Sequence, residues 1–506
     1  MGLYDFTVYD VIVRNARCFK KKPAWLEVSD GRELTFSQLK SMVDHLAKGL
    51  QDVGLEKGDR IGVLGKNSLE YFLLYGAASA LGLIVLPINW RLSGDEVENN
   101  LKDGAPRLVF ADTEYHELIN GLKGSLSSVE KYYSLSRKEG SFSDFGQLLD
   151  NEADFKPVDV ATDDGFVIIH TAAIAGKPRG AFVSYGNILC ATTQFSYIFK
   201  IYKEDIHLNL LPLFHVGGLF FAMTAFHAGA LNINVDKFDA EQAVDLIQEK
   251  SVTMLFEFAP MLASILDQQE KSGKDISSLR VVAGLDNPET IERYQRATGG
   301  EFFALYGQTE VSALVTVSPY NERPGSAGKP LPLADIRLFD DYDKEVKEGQ
   351  VGEIVVKGPM VFKGYWNLSE ETGYTFREGW HHTGDLGRFD KDGFLWYAGR
   401  KAEKELIKPG GENVYPAEVE RVILQHPAVE STVVFGVPDP KWNEGIMAVC
   451  LLKFGERLEP QELVDFVGER IARFKKPQYV EFVKDIPLLA NGSPDRAKVK
   501  ELYGQK

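Results

Sequence analysis

Between residues 36 and 283, short apolar runs of strand length alternate with segments whose apolar residues recur at helical spacing. Few architectures satisfy such an alternation. Phe36 to Val53 carries Phe36, Leu39, Val43, Leu46 and Leu50 on one helical face. Arg60 to Leu64 reads as a strand and Leu69 to Leu81 as a helix. Arg107 to Phe110, Phe166 to Ile169, Thr253 to Phe256 and Arg280 to Ala283 read as short buried strands. Strands that are apolar throughout and separated by helices belong to a mostly parallel sheet covered on both faces. No repeat with a period of roughly 20–50 residues is evident, and the polar run Ser136 to Lys156 reads as a surface loop.

Two stretches without a charged residue, Tyr71 to Trp90 and Ile206 to Val235, are long enough to span a bilayer core of about 30 Å. The first contains Gly76, Gly82 and Pro87, the second Pro212, Gly217, Gly218, Asn232 and Asn234. Both therefore read as buried helix and buried strand, such as Leu83 to Pro87, and no integral membrane segment is expected. Met1 to Lys22 has no apolar core of a secretory signal. The three cysteines, Cys18, Cys190 and Cys450, are far apart and fit a reducing compartment, so a cytoplasmic location is expected.

After Gly325 the texture changes. Ile336 to Phe339, Gly352 to Lys357, Leu386 to Phe389 and Phe394 to Tyr397 are short strands separated by turn residues, as in a small antiparallel barrel or meander. From Ala417 a helix with Val419, Val422 and Ile423 leads to strands Ser431 to Gly436 and Met447 to Lys453, then a helix from Pro460 to Arg473. Charge marks the same division. The 506 residues carry 57 basic and 73 acidic side chains, net −16, which excludes a broad basic nucleic-acid surface. From Arg400 onward the two signs balance at 17 each, so the first 399 residues hold the whole excess. The expected fold is α/β. It has a large domain, 1–399, of parallel sheets covered by helices with a small barrel-like subdomain, and a small mobile α+β lid, 400–506.

Seven segments carry chemistry in order along the chain. His170-Thr-Ala-Ala-Ile-Ala-Gly-Lys-Pro-Arg-Gly180 follows a buried strand, and its backbone N–H groups, Thr171, Gly176, Lys177 and Arg179 suit a phosphate. Alone, it reads equally as an ordinary strand–loop–helix turn. Leu213-Phe-His-Val-Gly-Gly218 and Ala283-Gly-Leu-Asp-Asn-Pro288 follow. Tyr306-Gly-Gln-Thr-Glu310 succeeds the strand Phe302 to Leu305, and its carboxylate is of the kind Mg²⁺ prefers. Then come Gly379-Trp-His-His-Thr-Gly-Asp385, Gly399-Arg-Lys-Ala-Glu-Lys-Glu-Leu-Ile-Lys408 with Pro409-Gly-Gly-Glu-Asn-Val-Tyr-Pro416, and Pro487-Leu-Leu-Ala-Asn-Gly492 with Ser493-Pro-Asp-Arg496.

In this order, over about Leu34 to Lys500, the segments resemble the ATP-dependent adenylate-forming superfamily. That superfamily includes acyl-CoA synthetases, luciferases and peptide-synthetase adenylation domains. The resemblance implies that a carboxylic acid is joined to the α-phosphate of Mg·ATP, releasing pyrophosphate, and that the acyl group then passes to CoA. It places Thr171, Gly176, Lys177 and Arg179 on the phosphates and Gly284 on the adenine-side loop. Tyr306 and Gly307 lie at the adenine, Thr309 on the α-phosphate and Glu310 on Mg²⁺. Asp385 and Arg400 meet the ribose, with Arg400 also within reach of a phosphate. His215 stands beside the acyl group, near Gly218, Gly284 and Val311. Lys404 is the hinge, with Glu403 the alternative, while Lys408, Gly410 and Gly411 belong to a swinging loop that lines a pantetheine tunnel.

Two departures matter. Ala172, Ile174 and Ala175 replace hydroxyl-bearing residues of the phosphate loop, and Ser493 stands where the family has its adenylating Lys. Lys498 or Lys500 is the expected substitute, Lys498 being taken as the catalytic one. Two other readings stay open: an adenylation-impaired nucleotide- or CoA-binding homologue, and a stand-alone acid-adenylating enzyme with another acceptor. The oligomeric state is also open, a homodimer being one option.

Overall fold

Apolar strands need cover on both faces, and here they assemble into two large sheets that share one core. The computed structural model describes residues 2–136, 140–171, 178–340, 342–401, 406–412, 414–488 and 494–504. A nine-stranded sheet has six parallel strands at its centre, in the order Pro23–Glu27, Leu231–Asn234, Ile206–Asn209, Met254–Phe258, Val281–Leu285 and Glu301–Tyr306. Antiparallel strands flank it, Glu33–Thr35 on one edge and Thr316–Pro319 with Lys329–Pro330 on the other. The eight-stranded sheet runs Gly165–Thr171, Ile84–Ile88, Arg60–Leu64, Leu108–Ala111, Lys131–Ser134 and Ser143–Asp144 in parallel. Arg179–Ser184 and Gly364–Tyr365 are added antiparallel beside Gly165–Thr171.

The two uncharged stretches fill the space between these sheets. Helix Leu69–Leu81 starts where the Ser68 hydroxyl accepts from the Tyr71 amide, stops at Gly82 in the left-handed region, and buries every residue but Glu70. Helix Val216–Ala228 is apolar on all sides and buried over most of its length, as expected of a helix inside a large core. One hydrophobic cluster contains residues of both helices, Val63, Val85 and Phe166 of one sheet, and Phe256, Val281 and Phe303 of the other. Among the described residues no helix is long and apolar enough to cross a membrane.

Three details differ from the sequence reading. The run 136–156 is more than a surface loop where it is described. Ser143–Asp144 extends the second sheet, and Phe142, Phe145 and Leu148 are buried. These three side chains anchor an otherwise polar segment. The strands after Gly325 form an open antiparallel sheet rather than a barrel, in the order Asp335–Phe339, Gly352–Lys357, Trp380–Phe389 and Phe376–Arg377. Leu395–Arg400 pairs with the far half of Trp380–Phe389. Among the described residues no pairing joins Asp335–Phe339 to Leu395–Arg400, so the sheet does not close. The helix that begins at Pro460 ends at Gly468, and Arg473–Lys475 makes a separate turn. Ile471 and Ala472 are both buried, which takes the chain off the helical path between them.

The small C-terminal domain has its own cores. The hairpin Val429–Asp439/Asn443–Leu452 pairs with Tyr479–Val483. Helices Pro416–Ile423 and Pro460–Gly468 pack on one face around Val434, Ile446 and Cys450. Helix Arg496–Tyr503 covers the other, with Val499 against Val433, Phe435 and Val449.

Candidate active site

The central strands of the nine-stranded sheet end together, and a cavity of about 820 Å³ opens beyond their carboxyl ends. Open α/β sheets bind ligands at that edge because the loops there converge without being buried. Phe258, Gly284 and Tyr306 line one wall from the strand ends. Lys408, Gly411, Trp442 and Lys500 line the other from the C-terminal domain.

Asp385 holds the centre of the first wall. It lies in the strand Trp380–Phe389, is 1% exposed, and pairs in register with Arg400 of Leu395–Arg400. The Arg400 Nε lies 2.8 Å from Asp385 Oδ1, while the Tyr306 hydroxyl donates to Oδ2 at 2.8 Å. The Gln308 amide donates to the same oxygen and to the Thr383 carbonyl. Burial works against the Arg400 cation, but Asp385 and the hydroxyls of Tyr415, Tyr397 and Tyr306 outweigh it and hold its pKa up. Burial, reinforced by Asp385, pushes the Tyr306 phenol well above its ordinary value, so it stays a donor. The loop is fixed from behind by Glu353, which accepts from the Gly384 amide at 2.9 Å and pairs with Lys401 at 3.0 Å. Burial raises the Glu353 pKa, but His382 and Lys401 prevail and bring it to about 2.

Gly307 separates Tyr306 from Gln308 because any Cβ there would fall 1.7 Å from the Ala313 carbonyl oxygen. The single turn Thr309–Val311 follows, with Thr309 on the cavity wall and Glu310 buried. The Tyr365 hydroxyl donates to Glu310 Oε1 at 2.9 Å, and the Arg179 guanidinium lies 4.2 Å from the Tyr365 ring centroid. Arg179 Nε is buried with no hydrogen-bond partner among the described residues. A carboxylate and an unsatisfied cation thus lie next to the end of Gly165–Thr171, where the Thr171 hydroxyl donates to the Arg179 carbonyl at 3.4 Å. The described residues hold no group of three or more metal-ligating acids, histidines or cysteines. One carboxylate beside an anion site is nevertheless the donor set Mg²⁺ uses when phosphates and waters complete its shell.

His215 is the N-cap of Val216–Ala228, its Nδ1 accepting from the Gly217 amide at 3.1 Å. That bond leaves the proton on Nε2. Burial, with Lys408 and Arg91 nearby, lowers its pKa to about 4, so the ring is neutral at neutral pH. Gly217 lines the cavity beside it. Gly218 does not: a Cβ there would meet the Pro212 carbonyl oxygen at 2.1 Å, so its small size serves packing against the preceding loop rather than ligand space. Val311 is fully buried beneath the site and also lies off the cavity wall.

The loop before Pro416 enters the cavity. Gly411 has φ +84 and packs on Phe258, while Gly410 approaches Trp442. Lys408 stands between Arg400, Asp385, Glu444 and Glu310, and its pKa is lowered, by burial first and Arg400 second. Lys500 lines the cavity from the last helix, whereas Lys498 does not. Gly176 and Lys177, expected on the phosphates, Lys404 and its alternative Glu403, expected at the hinge, and Ser493 lie outside the described residues. The structure adds Gln308, Tyr365, Tyr397 and Trp442 to the sequence reading. Gln308 sits inside the quoted Tyr306–Glu310 string. The others have no local sequence signal.

Residues 12–366 match the family described as AMP-binding enzyme, and residues 418–493 match the AMP-binding enzyme C-terminal domain. An indoleacetate–CoA ligase of Aromatoleum aromaticum is 32% identical over 94% of this chain and 94% of its own. A fatty acid–[acyl-carrier-protein] ligase of Streptomyces coeruleorubidus is 32% identical over 94% and 92%. The solved double mutant of o-succinylbenzoate CoA synthetase from Bacillus subtilis, bound to a product analogue, is 27% identical with a TM-score of 0.85 over 98% of this chain and 99% of that one. With nearly the whole chain matched and six of the seven ordered segments contributing residues to one cavity, the chain belongs to the AMP-binding enzyme family of adenylate-forming enzymes.

Proposed function

We propose that this chain is an acid–thiol ligase that makes an acyl-CoA from a carboxylic acid, ATP and CoA. The observation that carries the reading is that Asp385, Arg400, Thr309 and Lys408 line one cavity between the two domains, with Glu310 buried next to Thr309 and joined through Tyr365 to Arg179. In the first step a carboxylate oxygen forms a bond to the α-phosphorus and pyrophosphate leaves. In the second the CoA sulfur attacks the acyl carbon, its proton passes to solvent, and AMP leaves. A free carboxylate is a poor electrophile, so the adenylate supplies the leaving group that the thiol needs.

The chain's own groups do the positioning and charge stabilisation that dominate such chemistry. Asp385 accepts from the ribose hydroxyls, one on Oδ1, which now accepts no hydrogen bond among the described residues, and one on Oδ2 in exchange for a donor it now holds. Tyr306 offers its ring to the adenine, and Gly284 lines the same wall, where a Cβ would meet the Glu257 carbonyl oxygen at 2.2 Å. Arg179, with Thr171, Gly176 and Lys177, meets the phosphates, while the Thr309 hydroxyl donates to the α-phosphate. Glu310 would hold Mg²⁺, which when bound neutralises phosphate charge. Neutral His215 presents its Nε2–H to the acyl carboxyl oxygen. Lys408 and the Gly410–Gly411 backbone attend the thiol step, and Lys500, on the cavity wall, stands in for the Lys replaced by Ser493. The domain division at 399/400, with rotation about Lys404, and a cytoplasmic location belong to the same proposal.

The acid is one with an apolar body, since Phe256, Phe258, Ile291, Phe302 and Leu314 line the cavity. Relatives named for indoleacetate, ferulate and fatty acids support that class. ATP–pyrophosphate exchange over a panel of indoleacetate, ferulate, 2-succinylbenzoate and decanoate tests the first step. Exchange with no acid, while AMP still binds, overturns the reading. A carrier-protein thiol is the second reading, favoured by the relative that loads an acyl-carrier protein. Thioester formation on a carrier protein but not on CoA would select it.

A further inference from the structure

The C-terminal domain meets the body through a buried ion triad. Lys475 is 4% exposed, and its ammonium bonds Glu96 of the body and, at 2.5 Å, Glu418 of its own domain. Glu96 is held by the third position of helix Gly94–Gly104, where it accepts from the Ser93 amide and hydroxyl, both at 2.8 Å. Glu418 lies in the first turn of Pro416–Ile423, directly after the loop that carries Lys408, Gly410 and Gly411. A single cation therefore ties the start of a body helix to the start of the helix that delivers the cavity loop. A second tie runs parallel: Arg91 Nη1 lies 2.8 Å from Glu412 Oε1, and Arg91 stacks 4.3 Å above Trp90.

The triad holds two carboxylates and one ammonium, and Glu418 Oε1 has no hydrogen-bond partner among the described residues. Burial alone would discharge Lys475, but Glu418 and Glu96 raise its pKa instead. Without the ammonium, Glu96 and Glu418 would face each other as like charges in a poorly solvated interface, which costs free energy until the domains part. At this contact the two domains attract or repel according to Lys475, while Arg91–Glu412 is a separate tie.

We propose that Lys475 is a positioning residue whose triad with Glu96 and Glu418 selects the domain orientation that brings Lys408, Gly411 and Lys500 to the cavity together, and so serves both half-reactions through the C-terminal domain. The assignment to these half-reactions rests on the ligase reading above.

The test separates orientation from chemistry. Spin labels at the exposed positions Ala297→Cys of the body and Phe454→Cys of the C-terminal domain, with Cys18 and Cys190 replaced by Ser, report the interdomain distance without any substrate. Lys475→Met should broaden or shift that distribution. It should also slow ATP–pyrophosphate exchange, with the fastest acid of the panel, and CoA thioester formation by roughly tenfold or more each, while AMP affinity, which the body residues Asp385 and Tyr306 set, stays within about twofold. Glu96→Gln keeps the cap to Ser93 but removes the charge. It should act in the same direction more weakly, and it serves if Lys475→Met fails to fold. An unchanged distance distribution, or both half-reactions at the wild-type rate, overturns the proposal. Failure of every acid in wild-type exchange overturns the ligase reading but leaves the distance measurement to decide the triad.

Discussion

Arg400 and Asp385 face each other across two antiparallel strands with Nε 2.8 Å from Oδ1, while Tyr306 and Gln308 both donate to Oδ2 and Oδ1 accepts no hydrogen bond among the described residues. Oδ1 is therefore the acceptor open to one ribose hydroxyl, and a second would exchange with Tyr306 or Gln308, the neutral donors on Oδ2. The arrangement keeps the carboxylate charged and aimed before nucleotide arrives, which reduces the reorganisation that binding requires.

Asp385→Asn should leave Arg400 buried beside a neutral amide. Breaking a buried pair from one side costs about 3–5 kcal/mol, so the melting temperature should fall. Calorimetric titration should show AMP binding weakened by roughly a hundredfold. Unchanged AMP affinity in a folded variant would contradict the role given to Asp385.

Tyr306→Phe keeps the ring but deletes one donor to a charged acceptor, a bond worth about 1.5–3 kcal/mol. Gln308 remains on the same oxygen, so the effect should be smaller than for Asp385→Asn. Steady-state kinetics should give a KM for ATP raised by roughly tenfold, with kcat less affected.

The fold was legible where burial was complete. Strands such as Arg60–Leu64 and Ile84–Ile88 are apolar because helices cover both faces, so their runs stand out. The segment 136–156 was misread because Phe142, Phe145 and Leu148 are scattered among polar residues and make no periodic pattern. In the site, contiguous strings such as Tyr306–Glu310 were legible. Tyr365 on Glu310 was not, being 55 residues away in sequence, nor was Lys475 on Glu96 at a separation of 379. Contacts of that kind are created by topology, and neither partner's neighbours announce them. Gly218 shows the opposite case: the resemblance sets it near the acyl group, but it lies off the cavity wall and is a packing requirement of the preceding loop.

The last helix supplies a discriminating pair. Lys500 lines the cavity and Lys498 does not. Lys500→Ala should therefore lower pyrophosphate exchange by roughly a hundredfold, as for loss of one transition-state charge partner, while Lys498→Ala should change it little. Thioester formation from pre-made acyl-adenylate should survive in both. Equal exchange in the two variants would remove Lys500 from the first step.

His215 gives a pH signature. Its pKa is lowered to about 4 by burial and by the nearby cations Lys408 and Arg91, against about 6.5 in an unfolded chain. The folded state therefore binds its proton less readily. Its contribution to stability is full above pH 6.5 and is lost as pH falls toward 4. NMR titration of the His215 ring should show no inflection between pH 5.5 and 8, as judged by its absence from the spectrum of His215→Gln. An inflection near 6.5 would mean that the ring is charged at the acid-binding wall.

The central claim is that one cavity joins an acid to AMP and then to a thiol. Mass spectrometry of a reaction containing ATP, Mg²⁺, indoleacetate, ferulate and decanoate, with and without CoA, reads it directly. The account predicts enzyme-bound acyl-adenylate without CoA, and equimolar acyl-CoA and AMP once CoA is added. ADP in place of AMP, or AMP released without any thioester, would contradict it.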